Sequence, residues 1–264
     1  MRNIAAVISY NGSAYCGFQV QKNGLGIQEV IEQALMKITG EKIRINAAGR
    51  TDAGVHAMGQ VINFHTASLI PEEKLHMALN SVLPSDIRVI QAKDVDDEFH
   101  ARFNAIKKTY AYLINTNRIA DPLIAPICWH IPRKIDVTAA RSAAEKIVGV
   151  HDFTGFCAAG SPIKDKVRNV MDLSIEEKDG LIRICVTADG FLYNMVRIIV
   201  GTLIEVGMGK LDLADIEKIF CENNRNIAGM TAPSRGLCLM WVEYRAFSLE
   251  KTIIKGINPF NCSM

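Results

Sequence analysis

The 264-residue sequence lacks the patterns that identify most metal and nucleotide sites. Its seven cysteines include no Cys-x-x-Cys pair, and its six histidines are dispersed along the chain, which argues against zinc and other metal ions. Neither a Gly-x-Gly-x-x-Gly fingerprint nor a Gly-Lys-Ser/Thr phosphate loop occurs. We therefore expect no metal and no nucleotide cofactor.

An excess of charge of one sign is also missing. Lys and Arg number 30 and Asp and Glu number 28, so any basic surface must come from segregated charges. The most apolar long segment, residues 191–208, contains Arg197 and Glu205, which argues against a membrane span. The first residues lead straight into a strand-like run without the apolar core of a signal peptide. We expect a cytoplasmic protein that does not bind a membrane.

The chain does contain alternating strand and helix patterns. Hydrophobic periodicity in the first part predicts strands near residues 3–9, 43–49, 59–66 and 87–95 and helices near 27–39 and 71–83. This β-α-β-β-α-β order is typical of a ferredoxin-like unit. The later part repeats the alternation less cleanly, with strands near 109–115, 167–176, 181–188 and 237–244 and helices near 137–148, 191–206 and 212–222.

These patterns predict an α+β fold with two similar lobes. We place an N-terminal lobe at residues 1–104, a C-terminal lobe at 105–247 and a tail at 248–264.

The most informative stretch is the loop Ala48–Ala57, with the sequence AGRTDAGVHA. Its only carboxylate, Asp52, lies between two glycines, with Arg50 two residues before it and His56 four residues after it. Glycines let the backbone turn tightly and let a ligand approach, and a nearby arginine attracts the carboxylate charge. Asp52 can therefore act as a nucleophile or base. The alternative is a hairpin turn in which Asp52 caps backbone amides.

Arg197 is a second candidate, because it lies in a helix pattern that is apolar on nearly every side. A guanidinium buried without an anion is costly, and Asp52 is an attractive partner. Alternatively, Arg197 extends to solvent or holds a structural ion pair. The residues alone leave both interpretations open.

A third candidate is the segment His100–Tyr112, where basic and aromatic residues interleave. A strand pattern within it places Tyr110 and Tyr112 on one face. Cations that contact phosphates and rings that stack on bases suit a nucleic-acid groove. The alternative is a linker with a solvated basic face and two half-buried tyrosines.

Together these residues resemble the tRNA pseudouridine synthase A (TruA) family. The run from Gly49 to Ala57, followed by Gly59-Gln60-Val61, is similar to the active-site motif of that family. The resemblance extends over about residues 3–245 and includes Tyr10–Gln19, His100–Arg102, Lys108–Tyr110, Tyr112, His151–Phe153, Val167–Arg168, Phe191–Gly201 and Gly236–Leu237.

The resemblance implies an enzyme that isomerises uridine to pseudouridine at positions 38, 39 and 40 in the anticodon stem-loop of tRNA. It implies no cofactor and no metal. It also implies a homodimer of the pseudouridine synthase fold, with two ferredoxin-like lobes, a central, mostly antiparallel sheet and a catalytic cleft between the lobes.

The resemblance further implies roles for four residues. Asp52 is the catalytic aspartate, either as the nucleophile at C1′ or as the base that takes a proton from the ribose. Tyr110 packs on the target base, and Arg50 fills the gap left when the uridine flips out of the stem. Arg197 pairs with Asp52.

Two other classes of protein remain as alternatives. A non-catalytic RNA-binding protein would not need Asp52, Arg197 and Tyr110 together, because a carboxylate in an RNA groove repels phosphate. A carboxylate-dependent hydrolase would want a second acidic residue or a metal cluster near the motif, and the sequence has neither. The synthase is the function that the sequence favours.

Overall fold

The computed structural model describes residues 1–22, 24–245 and 260, which form a mixed α+β chain. The chain divides into two compact units. The first contains Met1–Ile106 and the described residues 238–245, and the second contains Lys107–Leu237 and Phe260. The lobe boundaries expected from the sequence remain predictions. Apart from Phe260, the predicted tail lies outside the described residues.

The strands are β1 (Arg2–Tyr10), β2 (Asn46–Ala47), β3 (His56–Thr66), β4 (Ile87–Val95), β5 (Ala105–Asn115), β6 (Trp129–His130), β7 (Gly149–Asp152), β8 (Val167–Lys178), β9 (Leu181–Ala188) and β10 (Leu237–Tyr244). The α-helices are α1 (Ile27–Thr39), α2 (Glu72–Asn80), α3 (Val137–Ile147), α4 (Met195–Gly207) and α5 (Leu213–Glu222).

The first unit has the β-α-β-β-α-β order along the chain that its sequence pattern predicts. β1 lies between β4 and β3 and is antiparallel to both, and β2 is antiparallel to β3 on the far edge. The resulting order, β4-β1-β3-β2, is that of a ferredoxin-like sheet. β2 pairs with the later part of β3, whereas β10 pairs in parallel with its first residues, Cys238 beside His56 and Leu239 beside Ala57. The loop that carries Asp52 connects β2 to β3. Along β3, the neighbouring strand on this side changes from β10 at its start to β2 further on.

The helices of the first unit follow their hydrophobic periodicity. α1 buries Ile27, Ile31, Ala34 and Leu35, which recur at helical spacing on one face. It ends at Gly40, whose φ of +75° is the left-handed conformation that glycine adopts readily. The predicted helix at residues 27–39 is confirmed.

The second unit is also built on antiparallel pairs. β9 lies between β5 and β8, and β7 extends the sheet beyond β8. The hairpin of β8 and β9 turns at Asp179-Gly180, where both residues have positive φ, as a two-residue Asp-Gly turn requires. α3 packs against α4, α5 and β8. The predicted α+β class with mostly antiparallel strand pairing is confirmed.

Several predicted boundaries were wrong. The strand expected at 43–49 shortens to Asn46–Ala47, because the amide of Ile45 donates to the Glu32 carboxylate at 3.2 Å. The helix expected at 191–206 begins at Met195, because Asn194 has a φ of +59° that no helix continues through. In the part of the chain that the structure describes, no helix is long and apolar enough to cross a membrane.

Candidate active site

Asp52 lies in a tight turn between β2 and β3. The amide of Val55 donates to the carbonyl oxygen of Asp52 at 3.1 Å, and Gly54 closes the turn with a φ of +78°. Only glycine adopts that conformation without strain. Thr51 is buried, Asp52 is half-buried and Arg50 is exposed. The turn therefore buries the Thr51 side chain inside the unit and leaves Arg50 and, in part, Asp52 accessible at the surface.

Three hydrogen bonds from residues outside the turn hold it in place. The amide of Phe18 donates to the Thr51 carbonyl at 3.0 Å, and Nε2 of Gln60 donates to the Gly49 carbonyl at 2.7 Å. The Tyr10 and Thr51 hydroxyls are 2.8 Å apart. Tyr10 is 3% exposed, and burial raises the pKa of its phenol well above the usual range, so its hydroxyl stays neutral at working pH. The backbone that leads into Asp52 is thus held by residues outside the turn.

Two glycines let the segment Tyr10–Gln19 pack closely against the turn. A Cβ at Gly12 would lie 2.0 Å from the Val55 carbonyl oxygen. Gly17 has a φ of +105°, and a Cβ there would lie 2.9 Å from the Thr51 carbonyl oxygen. The amide of Gly12 also donates to Nδ1 of His56 at 3.1 Å. This segment is only a weak Gly and aromatic signal in the sequence, yet it shapes the Asp52 turn.

Tyr110 lies on β5 in the second unit. Its side chain is 7% exposed, and its ring meets that of Phe191 edge to face, with centroids 5.0 Å apart and planes at 86°. This is a favourable arrangement of two aromatic quadrupoles. Two residues further along, the Tyr112 hydroxyl donates to the Pro233 carbonyl at 2.7 Å. Both tyrosines are therefore held by defined partners.

Arg197 lies in the first turn of α4 and is half-buried. Its Nε donates to the carbonyl of Ala232, and its Nη1 donates to Oδ1 of Asn194, both at 2.8 Å. The amide of Ala232 donates back to the Arg197 carbonyl at 3.0 Å. Gly201 lets the segment Met230–Ala232 lie against α4, because a Cβ at Gly201 would lie 1.7 Å from the Met230 carbonyl oxygen. The direction of the guanidinium is set by these acceptors.

The structure thus places Asp52 and Arg50 in the first unit and Tyr110 and Arg197 in the second. The pairing of Asp52 with Arg197 stays a prediction. Among the residues that the structure describes, no group of three His, Cys, Asp or Glu side chains is arranged to hold a metal ion.

Comparison with known proteins assigns the family. The family model described as tRNA pseudouridine synthase matches residues 6–104 and 143–245. The chain is 48% identical over 244 residues to tRNA pseudouridine synthase A of Thermoanaerobacter sp. (strain X514), covering 92% of this chain and 100% of that protein. It is 45% identical over 244 residues to tRNA pseudouridine synthase A of Acetivibrio thermocellus, with the same coverage. The chain belongs to the tRNA pseudouridine synthase family, and the resemblance seen in its sequence is confirmed.

Solved structures add little to this assignment. A chain in a crystal structure of a Cbf5-Nop10-Gar1 complex is 10% identical and has a TM-score of 0.37, covering 89% of this chain and 57% of that chain.

Proposed function

We propose that this protein isomerises uridine to pseudouridine at positions 38, 39 and 40 in the anticodon stem-loop of tRNA. The observation that carries the proposal is Asp52, which sits half-buried in a turn held by Phe18, Gln60 and Tyr10. The identity of 45–48% to proteins named tRNA pseudouridine synthase A, over their whole length, supports the same activity.

The reaction breaks the N1–C1′ bond, turns the uracil and joins C5 to C1′. C5 then releases its proton and N1 takes up a proton, so that the product is an isomer of the substrate. Asp52 begins it by attacking C1′ or by taking a proton from the ribose. Both routes need a carboxylate at a fixed position beside the sugar. A turn pinned by three hydrogen bonds supports either route, because it restricts where the carboxylate can move.

The target nucleotide must leave the stack before Asp52 can reach its C1′, because the glycosidic bond is hidden inside a paired stem. We assign Arg50 to the space that the uridine vacates, since its exposed side chain is available to enter the RNA. We assign Tyr110 to the face of the flipped base, with its ring steadied by Phe191. Arg197 serves as the ion-pair partner of Asp52. None of these steps uses a cofactor or a metal.

We also propose that the protein works in the cytoplasm as a homodimer, so that one tRNA contacts both subunits. The net charge of +2 supports this, because one chain carries few cations in excess for binding a polyanion. Light scattering tests the mass of the free protein, and titration with tRNA gives the binding stoichiometry. A monomer that binds one tRNA with full activity would contradict the proposal.

Release of tritium from C5-labelled uridine tests the activity directly. Anticodon stem-loop RNAs would carry a single labelled uridine at position 38, 39 or 40, with a control RNA labelled elsewhere in the stem. We expect tritium release from the first three and not from the control. Absence of release from all of them would overturn the proposed function.

A further inference from the structure

Phe103 is an unusually exposed aromatic residue. Its side chain is 74% exposed, whereas Phe18, Phe64 and Phe99 in the same unit are at most 7% exposed. It lies in the short turn between β4 and β5, within the basic and aromatic segment that the sequence singles out. An exposed phenylalanine on its own needs no explanation, so its setting decides whether it has a role.

The turn that carries Phe103 is closed by its own hydrogen bonds. The amide of His100 donates to Oδ1 of Asn104 at 2.6 Å, and the amide of Asn104 donates to the His100 carbonyl at 3.1 Å. The amide of Arg102 donates to Nδ1 of His100 at 3.1 Å. Phe103 therefore projects from an ordered turn.

Buried side chains fix the same turn to the body of the unit. Oδ1 of Asn63 accepts from the amide of Ala101 at 2.9 Å, and the Tyr244 hydroxyl donates to the Ala101 carbonyl at 2.6 Å. Asn63, Tyr244 and Ala101 are all buried. Anchoring of this kind reduces the ordering cost when a ligand binds to the projecting ring.

The ring of Phe103 is accompanied by two groups that suit nucleic acid. The His100 ring lies 4.4 Å from it between centroids, at an angle of 37°, and the Arg102 guanidinium carbon lies 5.7 Å from its centroid. We call His100, Arg102 and Phe103 the Phe103 platform. A cation beside an exposed ring allows a base to stack while the adjacent phosphate is neutralised.

We propose that the Phe103 platform stacks against an unpaired base of the tRNA, with Arg102 at a neighbouring phosphate. This inference rests on the proposed function for the identity of the RNA. Asp96, Asp97 and Glu98 lie exposed earlier in the same connection, whereas residues 100–104, which form the platform turn, contain the cation Arg102 and no carboxylate. The charge at the platform itself therefore suits a phosphate. Upstream of the turn, the carboxylate of Asp97 lies 3.0 Å from Nε2 of His65.

Binding measurements with two RNAs test the platform. We would compare Phe103→Ala with the matched control Leu69→Ala, which removes a side chain that is 94% exposed in the same unit. Both would be made in the Asp52→Asn background, so that turnover does not interfere. One RNA is the anticodon stem-loop, and the other is a duplex of the same stem without unpaired bases.

We expect Phe103→Ala to weaken stem-loop binding by about fivefold to a hundredfold, the range for loss of one base–aromatic stack. Duplex binding and the Leu69→Ala control should change by less than about twofold. Phe103→Trp should bind the stem-loop at least as well as phenylalanine, because the larger ring keeps the stack.

Three results would overturn the proposal. They are unchanged stem-loop affinity in Phe103→Ala, an equal loss on the duplex, or a changed oligomeric mass with unchanged RNA affinity, which would make the platform a protein contact. These results are distinct from failure of the proposed function. That failure would appear as absence of tritium release by the protein with Asp52 and Phe103 intact.

Discussion

Asp52 and Arg197 are presented by different kinds of structure. Asp52 lies in an irregular turn whose shape depends on Phe18, Gln60 and Tyr10, residues from other parts of the chain. Arg197 lies in a regular helix, α4, and its guanidinium bonds to Asn194 and to the carbonyl of Ala232. The turn therefore depends on uncharged residues from other segments for its backbone shape, whereas at Arg197 the helix sets the backbone and Asn194 and Ala232 set the direction of the guanidinium.

Because of this difference, we expect α4 and the Asp52 turn to respond differently to substitution. α4 is buried along most of its length, so its backbone is secured by packing as well as by its own hydrogen bonds. The Asp52 turn is irregular, and the hydrogen bonds of Phe18, Gln60 and Tyr10 contribute to holding it. We expect substitutions of the uncharged residues that contact the Asp52 turn to lower kcat with only a small loss in the free energy of unfolding. Substitution of Arg197 should lower both kcat and the free energy of unfolding.

The largest effect among these comparisons is expected for Arg197→Ala. It removes the proposed partner of Asp52 and two hydrogen bonds made by a charged donor. We expect kcat to fall by about a hundredfold and the free energy of unfolding to fall by about 2 kcal/mol. Tritium release sampled at fixed times measures kcat, and urea unfolding measures the free energy of unfolding.

Arg197→Lys provides the matched control, because it keeps the charge and loses the planar fork. It should recover part of the activity. If Arg197→Ala had activity and stability near those of the unsubstituted protein, the pairing with Asp52 would be refuted.

A smaller effect is expected for Gly17→Ala. Its φ of +105° strains any residue with a Cβ, and that Cβ would lie 2.9 Å from the Thr51 carbonyl oxygen beside Asp52. We expect kcat to fall by about tenfold, because the carboxylate is displaced from its productive position.

Gly160→Ala is the control for Gly17→Ala. It shares a positive φ, +81°, but a Cβ there has nothing within 4 Å. Both variants should lose about 1 kcal/mol of stability through backbone strain, whereas only Gly17→Ala should lose activity. Equal activity of the two variants would show that the close approach at Gly17 does not position Asp52.

The smallest effect is expected for Tyr10→Phe, which removes the hydroxyl that bonds to Thr51. Stability should fall by about 1 kcal/mol and kcat by about threefold, because the backbone hydrogen bonds to the turn remain. Tyr15→Phe is the matched control, since it removes a hydroxyl of the same segment that donates to Asp86 at 2.8 Å and not to Thr51. Thermal unfolding and tritium release on both variants separate loss of stability from loss of positioning.

The elements whose bounds were predicted correctly have a turn residue beside one end. α1, β4, β9 and β10 have the predicted bounds, with Gly40 directly after α1, Pro84 shortly before β4, Gly180 directly before β9 and Gly236 directly before β10. The helix expected to end at residue 83 stops at Asn80. There the Asn80 side chain bonds both the amide and the carbonyl of Val89, at 2.8 Å each, a long-range contact that periodicity does not contain.

The candidate site was predictable in part for a similar reason. The run from Gly49 to Ala57 identifies Asp52, because the chemistry is concentrated in one short stretch. The support beneath it was not predictable, since Gly12 and Gly17 are required only because Val55 and Thr51 approach them across the fold. Likewise, the apolar run around Asn194 predicts a helix that includes this residue. The structure shows that Asn194 has a positive φ and that α4 begins after it.

Turnover and RNA affinity of Asp52→Asn, measured side by side, test the central claim most directly. The substitution is nearly isosteric and removes the charge, while the hydrogen bonds of Phe18, Gln60 and Tyr10 to the turn can persist. We predict that tritium release from anticodon stem-loop RNA falls by at least about a thousandfold, whereas the dissociation constant changes by less than about threefold. Tritium release at the unsubstituted rate would contradict the assignment of Asp52 as the catalytic residue.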